Sequence, residues 1–126
     1  MSDPDERWQG QVQRALSKIH HQNWRLVAMV VNKKKPISIA TNNPNKSHPD
    51  ITLYDCHRMA HAEPLAIQRA RKNNISGADL YIWRWGHDER WRLAKPCKLC
   101  MRVIENSGIK RVFYTTNEGK MEMMLV

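Results

Sequence analysis

The fold of this chain is constrained most by the order in which two kinds of apolar pattern alternate along it. Over residues 5–21 the apolar positions Trp8, Val12, Ala15, Leu16 and Ile19 recur at helical spacing, with Arg7, Arg14 and Lys18 on the wet side, which predicts an amphipathic covering helix. Residues 24–31, WRLVAMVV, are a dense apolar run with β-branched members; after a turn at 32–36, residues 37–41 make a second short strand. A helix is expected over 59–74, with Ala60, Leu65, Ala66, Ile67 and Ala70 on its apolar side and Pro64 tolerated only in its first turn. The turn at Ser76 and Gly77 ends it, and a third strand follows at 78–85, ADLYIWRW. Residues 86–95 read as a polar, aromatic-bearing connection to a helix over 96–106 that Pro96 opens and Gly108 stops. Residues 110–116 are a fourth strand, Asn117 to Gly119 a tight turn, and 121–126 a last strand. The order helix, strand, strand, helix, strand, helix, strand, strand has too few consecutive strands for a sandwich. It predicts a three-layer α/β/α fold around a mixed five-stranded sheet.

Length and composition agree with one such unit. The 126 residues fit a single domain, 1–126, and 41% hydrophobic with 26% charged residues is the balance of a chain that folds. No run approaches the roughly 18 apolar residues of a membrane span, and the opening MSDPDERWQG lacks a secretory pattern, so a cytoplasmic protein with no membrane partner is expected. In that compartment three cysteines, two of them spaced C-x-x-C, point to metal or redox chemistry over disulfides. Lys and Arg number 21 against 12 acidic residues, a net charge of +9. Such an excess suits polyanions or phosphorylated substrates, but its spread along the chain suits a solubilising surface equally well.

Two short motifs carry the chemistry: His61-Ala62-Glu63 at the start of one helix and Pro96-Cys97-Lys98-Leu99-Cys100 at the start of another. Zinc takes nitrogen and thiolate ligands in tetrahedral geometry, and a catalytic zinc keeps a fourth position for water, so His61, Cys97 and Cys100 make the required three. Cys97 and Cys100 are one helical turn apart, and unpaired N–H groups at helix starts favour thiolate and hydroxide. Glu63, two residues past the ligand, suits a general base that becomes a general acid. Alone, HAE is as consistent with a surface pair, and PCxxC with a structural zinc knuckle or redox site. Together, in this order around a strand, they favour an open catalytic zinc site. Cys56 or His57 as a fourth ligand would close that site; Cys56 is expected to be a thiol outside it.

The H-x-E and P-C-x-x-C pair is the signature of zinc deaminases, and the chain resembles the cytidine deaminase-like superfamily in these motifs and in element order over nearly its whole length. That resemblance implies Zn2+ as cofactor and, at the end of the second strand, an asparagine touching the substrate sugar, which is Asn42 here with Asn43 as a substitute. KPCKLC followed by GIKRVFYTT is similar to small deoxycytidylate or cytidine deaminase-like proteins of bacterial viruses and bacteria. Free-nucleoside enzymes of the family usually have cysteine where this chain has His61, whereas the closing pair of strands is like theirs.

The loop at 42–50, NNPNKSHPD, offers His48 as a substrate contact, though a loop histidine is as readily solvated. Trp83, Trp85 and Trp91 among Arg84, Arg90 and Arg92 could form a stacking platform. Trp83 and Trp85, two apart, are expected to pack one strand face, leaving Trp91 as the substrate contact, with the Ala62 backbone lining the pocket. The expected function is hydrolytic deamination of cytosine in a free nucleoside or nucleotide. The alternatives are a polynucleotide deaminase acting on cytosine, less readily adenine, in single-stranded nucleic acid, and a zinc-stabilised nucleic-acid-binding module. The oligomeric state is left open, homo-oligomers included.

Overall fold

The computed structural model describes residues 6–19, 24–42, 62–71 and 73–126. A 3₁₀ turn, Glu6–Trp8, runs into α1, Gln9–Ser17. The hairpin β1, Trp24–Asn32, and β2, Lys35–Thr41, comes next, followed by α2, Ala62–Ala70. The second half comprises β3, Asp79–Gly86; β4, Trp91–Arg92; α3, Lys98–Glu105; β5, Arg111–Thr115; and β6, Met121–Leu125. The strands form one mixed sheet in the order β2-β1-β3-β5-β6, with the short β4 paired to the end of β3. Among the described residues only β3 and β5 pair in parallel, and α3 is the crossover between them, as parallel neighbours require. This is the expected three-layer arrangement on a five-stranded sheet, with β4 added.

The apolar runs read as continuous because both sheet faces are covered. In β1, Ala28 and Val30 face the layer of α2 and α3, while Val27, Met29 and Val31 face α1; in β3, Leu80 and Ile82 take the first side and Tyr81 and Trp83 the second. Pro36 sits opposite Val31 where the β1–β2 register slips, a bulge position that tolerates its missing N–H.

Several boundaries move. The first helix is shorter than residues 5–21, and within the described residues the second is regular only to Ala70 because the chain then tightens, Asn73 N–H donating to Ala70 O at 2.9 Å. Pro96 does not open α3: Cys97 is its N-cap, and Pro96 precedes it. The 86–95 connection folds back as β4, pairing Arg84 with Arg92 and Trp85 with Trp91, a two-residue strand too short to show a period.

Candidate active site

Two helix starts lie on the same face of the sheet. Small side chains let α2 sit close: Ala62, Ala66 and Ala70 are fully buried against Ala28 and Ala40. Two hydrogen bonds pin α2 to β2, Ser38 Oγ to Ala66 O at 2.6 Å and Arg69 Nη1 to Ile39 O at 2.8 Å. Its first turn thereby holds Glu63 at only 4% exposure, a costly position for a carboxylate that a helix N-terminus partly offsets. Pro64 falls in that first turn, as expected, where its missing N–H costs no helical bond.

At the start of α3, Cys97 has the extended backbone of an N-cap and its carbonyl accepts the Met101 N–H at 2.9 Å. Its side chain makes no capping bond, unlike the Ser, Thr, Asp or Asn usual there. Cys97 is exposed and Cys100, one turn on, is fully buried; neither is in a disulfide. The approach to Cys97 is fixed by residues that the sequence did not single out. Thr115, fully buried at the end of β5, donates through Oγ1 to Arg92 O at 2.6 Å and accepts Arg84 N–H at 3.1 Å, while its carbonyl takes Ala94 N–H at 2.9 Å. Asn117 Oδ1 accepts Leu93 N–H at 3.0 Å. The only hint of these anchors was polar residues at the end of an apolar strand and in the turn after it.

Asn42 stands at the end of β2, where the sequence put it, and is 2% exposed. Its Oδ1 accepts Leu26 N–H at 3.0 Å and its own N–H donates to Leu26 O at 3.2 Å, while its Nδ2 is buried without a hydrogen-bond partner among the described residues. His48, Cys56, His57, His61 and Asn43 lie outside the described residues. Accordingly, no cluster of three metal-binding side chains occurs among the described residues, which carry two of the three expected ligands.

Trp91 is corrected. Pairing with Trp85 turns it inward, so that it is 1% exposed and meets Trp85 edge-on with centroids 4.8 Å apart in the α1-side core. A ring so enclosed has no face to offer a base. Trp83, fully buried, and Trp85 pack that same side, as expected of two positions on one strand face. On the other side, burial raises the pKa of Tyr114 above its ordinary value, assisted by its hydroxyl donating to Glu122 Oε2 at 3.2 Å.

Residues 2–116 match the model of the cytidine and deoxycytidylate deaminase zinc-binding region. The fold is similar to that of a cytidine deaminase from Burkholderia pseudomallei, with a TM-score of 0.67 at 19% identity over 99% of this chain and 93% of that one. It is also similar to the dCMP deaminase of cyanophage S-TIM5, with a TM-score of 0.60 at 20% identity over 88% and 81%. At these identities the likeness is one of fold. In sequence, the tRNA-specific adenosine deaminase of Rickettsia bellii is 27% identical over 97 residues, 74% of this chain and 56% of that protein, so the chain spans about half the length of the curated relatives it matches.

Proposed function

Because the chain belongs to the cytidine and deoxycytidylate deaminase zinc-binding family, we propose that it hydrolyses the exocyclic C–N bond of cytosine in a free nucleoside or nucleotide, giving uracil and ammonia. The observation that carries this reading is a buried carboxylate, Glu63, in the first turn of α2, on the same sheet face as the helix that begins with Cys97 and Cys100.

The donor set fits zinc: two thiols one turn apart at a helix start, with His61 as the third ligand from sequence. Bound there, the metal would supply the Lewis acidity that makes hydroxide available near neutral pH. Glu63 takes a proton from the attacking water and delivers it to the ring nitrogen N3; it then takes the second proton from the hydroxyl newly bonded to C4 and passes it to the departing amine, leaving C4=O and ammonia. The Ala62 backbone and the Cys97 segment line the pocket. Asn42 holds the sugar, its buried Nδ2 being a donor that gains a partner when substrate arrives.

A second reading, with the base in a polynucleotide, draws on the likeness to tRNA-specific adenosine deaminases and on the +9 charge. Ammonia release from cytosine, deoxycytidine, deoxycytidine monophosphate, adenosine-containing RNA and single-stranded DNA, measured on zinc-loaded protein at two salt concentrations, tests both. Turnover of the small cytosine substrates alone is expected. Turnover confined to polynucleotide, weakening steeply with salt, would replace the first reading by the second, and zinc binding without ammonia from any substrate would leave a binding module.

A further inference from the structure

The turn that carries β3 into β4 bends around a polar cleft of about 480 Å³, walled by Arg84, His87, Asp88, Arg92, Leu93 and Asn117. Its chemistry is one-sided. Arg92 and Arg84 bring positive charge, and His87 and the Asn117 side-chain amide can donate hydrogen bonds. The one carboxylate in the wall, Asp88, is already engaged by Arg92, which holds it below the usual carboxylate range.

The cleft is also built in place. Arg84 Nη1 donates to Leu93 O at 3.3 Å, fixing its guanidinium along the wall, and Asn117 Oδ1 is taken by Leu93 N–H, which leaves the amide N–H₂ as the group that Asn117 can offer. Gly86 lets the turn close tightly: a Cβ there would stand 2.6 Å from Asp88 Oδ1 and 3.1 Å from Arg92 Cγ. The cleft lies at the carboxyl end of β3 and β5, the end at which open α/β sheets bind ligands. From Leu93 the chain reaches Cys97 in four steps, which span at most about 14 Å when fully extended. That is on the scale of one nucleotide.

We propose that this cleft receives the phosphate of a mononucleotide substrate, with Arg92 and Arg84 as its cationic partners and Asn117 and His87 as further donors. Two observations favour a single phosphate over a nucleic-acid strand: the volume of the cleft is within the range of small-molecule sites, and of the three tryptophans around it Trp83 and Trp91 are buried and Trp85 is partly buried, which leaves little ring face for stacking bases. The inference rests on the deaminase reading and adds a preference for the nucleotide over the nucleoside.

The test compares zinc-loaded wild type, R92Q, R92K and R84Q on deoxycytidine monophosphate, deoxycytidine and a short single-stranded DNA, with calorimetric titration of inorganic phosphate and a thermal melt for each. R92Q should lower kcat/KM for the monophosphate about ten- to a hundredfold, the worth of a charge-assisted hydrogen bond. Deoxycytidine should change less than about twofold, phosphate binding should weaken in parallel, and R92K should recover part of the loss. R84Q repeats the comparison should R92Q melt early. Equal effects on both small substrates, or none, overturn the subsite, and a loss confined to DNA overturns it in favour of a strand. If no cytosine substrate is turned over, the deaminase reading falls by itself, and phosphate affinity in wild type against R92Q still decides the cleft.

Discussion

The two faces of the sheet are built from different side chains. The face under α2 and α3 is aliphatic and rich in alanine, with Ala28, Ala40, Ala62, Ala66, Ala70, Ala78 and Ala94 in one cluster; the face under α1 is aromatic, with Trp8, Tyr81, Trp83 and Trp91 buried there and Phe113 packed against them. Small residues let two helices lie close to the sheet, which fixes where their first turns, and hence Glu63, Cys97 and Cys100, can be. On the other face the one helix among the described residues is α1, and large side chains fill the space beneath it. Stacked and edge-on rings do so, Tyr81 lying 4.6 Å from Phe113 and 5.7 Å from Trp83 between centroids. One face positions chemistry and the other supplies bulk burial, each aromatic removing on the order of 150–250 Å² from water.

Glu63→Gln separates the two roles most sharply. Size and polarity are kept while the proton carrier is lost, so deamination should fall by about 10² to 10⁴ or more, with zinc content and melting temperature near wild type. Loss of zinc would make Glu63 a ligand or a support for one, and near-normal turnover would end its catalytic assignment. Trp83→Ala should do the reverse, costing about 3–5 kcal/mol in denaturant unfolding while the folded fraction keeps its zinc and its KM. If it abolished zinc binding under conditions where circular dichroism shows a native fold, the division between faces would be wrong.

Overpacking tests the alanines themselves. Ala66→Leu should cost about 1–3 kcal/mol and, by lifting α2 from β1 and β2, lower kcat/KM of folded protein by up to about a hundredfold. Ala15→Leu on α1 carries a similar stability cost with activity unchanged, and equal activity losses in the two variants would refute the contrast. The smallest effect concerns Tyr114. Its raised folded pKa contributes stability that is full below the unfolded value near 10 and is lost as pH climbs through the folded value. Wild type should therefore lose more stability between pH 9 and pH 11 than Tyr114→Phe in paired denaturant melts, and parallel losses would show that Tyr114 does not govern that window.

The sequence by itself determined the order of the main elements, β4 apart, and the layering, and it put Glu63 and Cys97 at the starts of helices, because hydrophobic period and motif spacing are local properties. Residues 24–31 and 78–85 were legible as strands since burial on both faces leaves an unbroken apolar run, and Asn42 was legible at the end of β2 through family resemblance. Tertiary structure alone decided the rest. Trp91 sits in a stretch with no period, and only its pairing opposite Trp85 turns its ring into the core. Thr115 and Asn117 became anchors because β5 ends beside the segment that leads to Cys97. Arg84 and Asn117, 33 positions apart in sequence, share one cleft for the same reason. Local patterns report how a residue is covered; which distant residue covers it depends on strand register and crossover, and those are settled only when the whole sheet assembles.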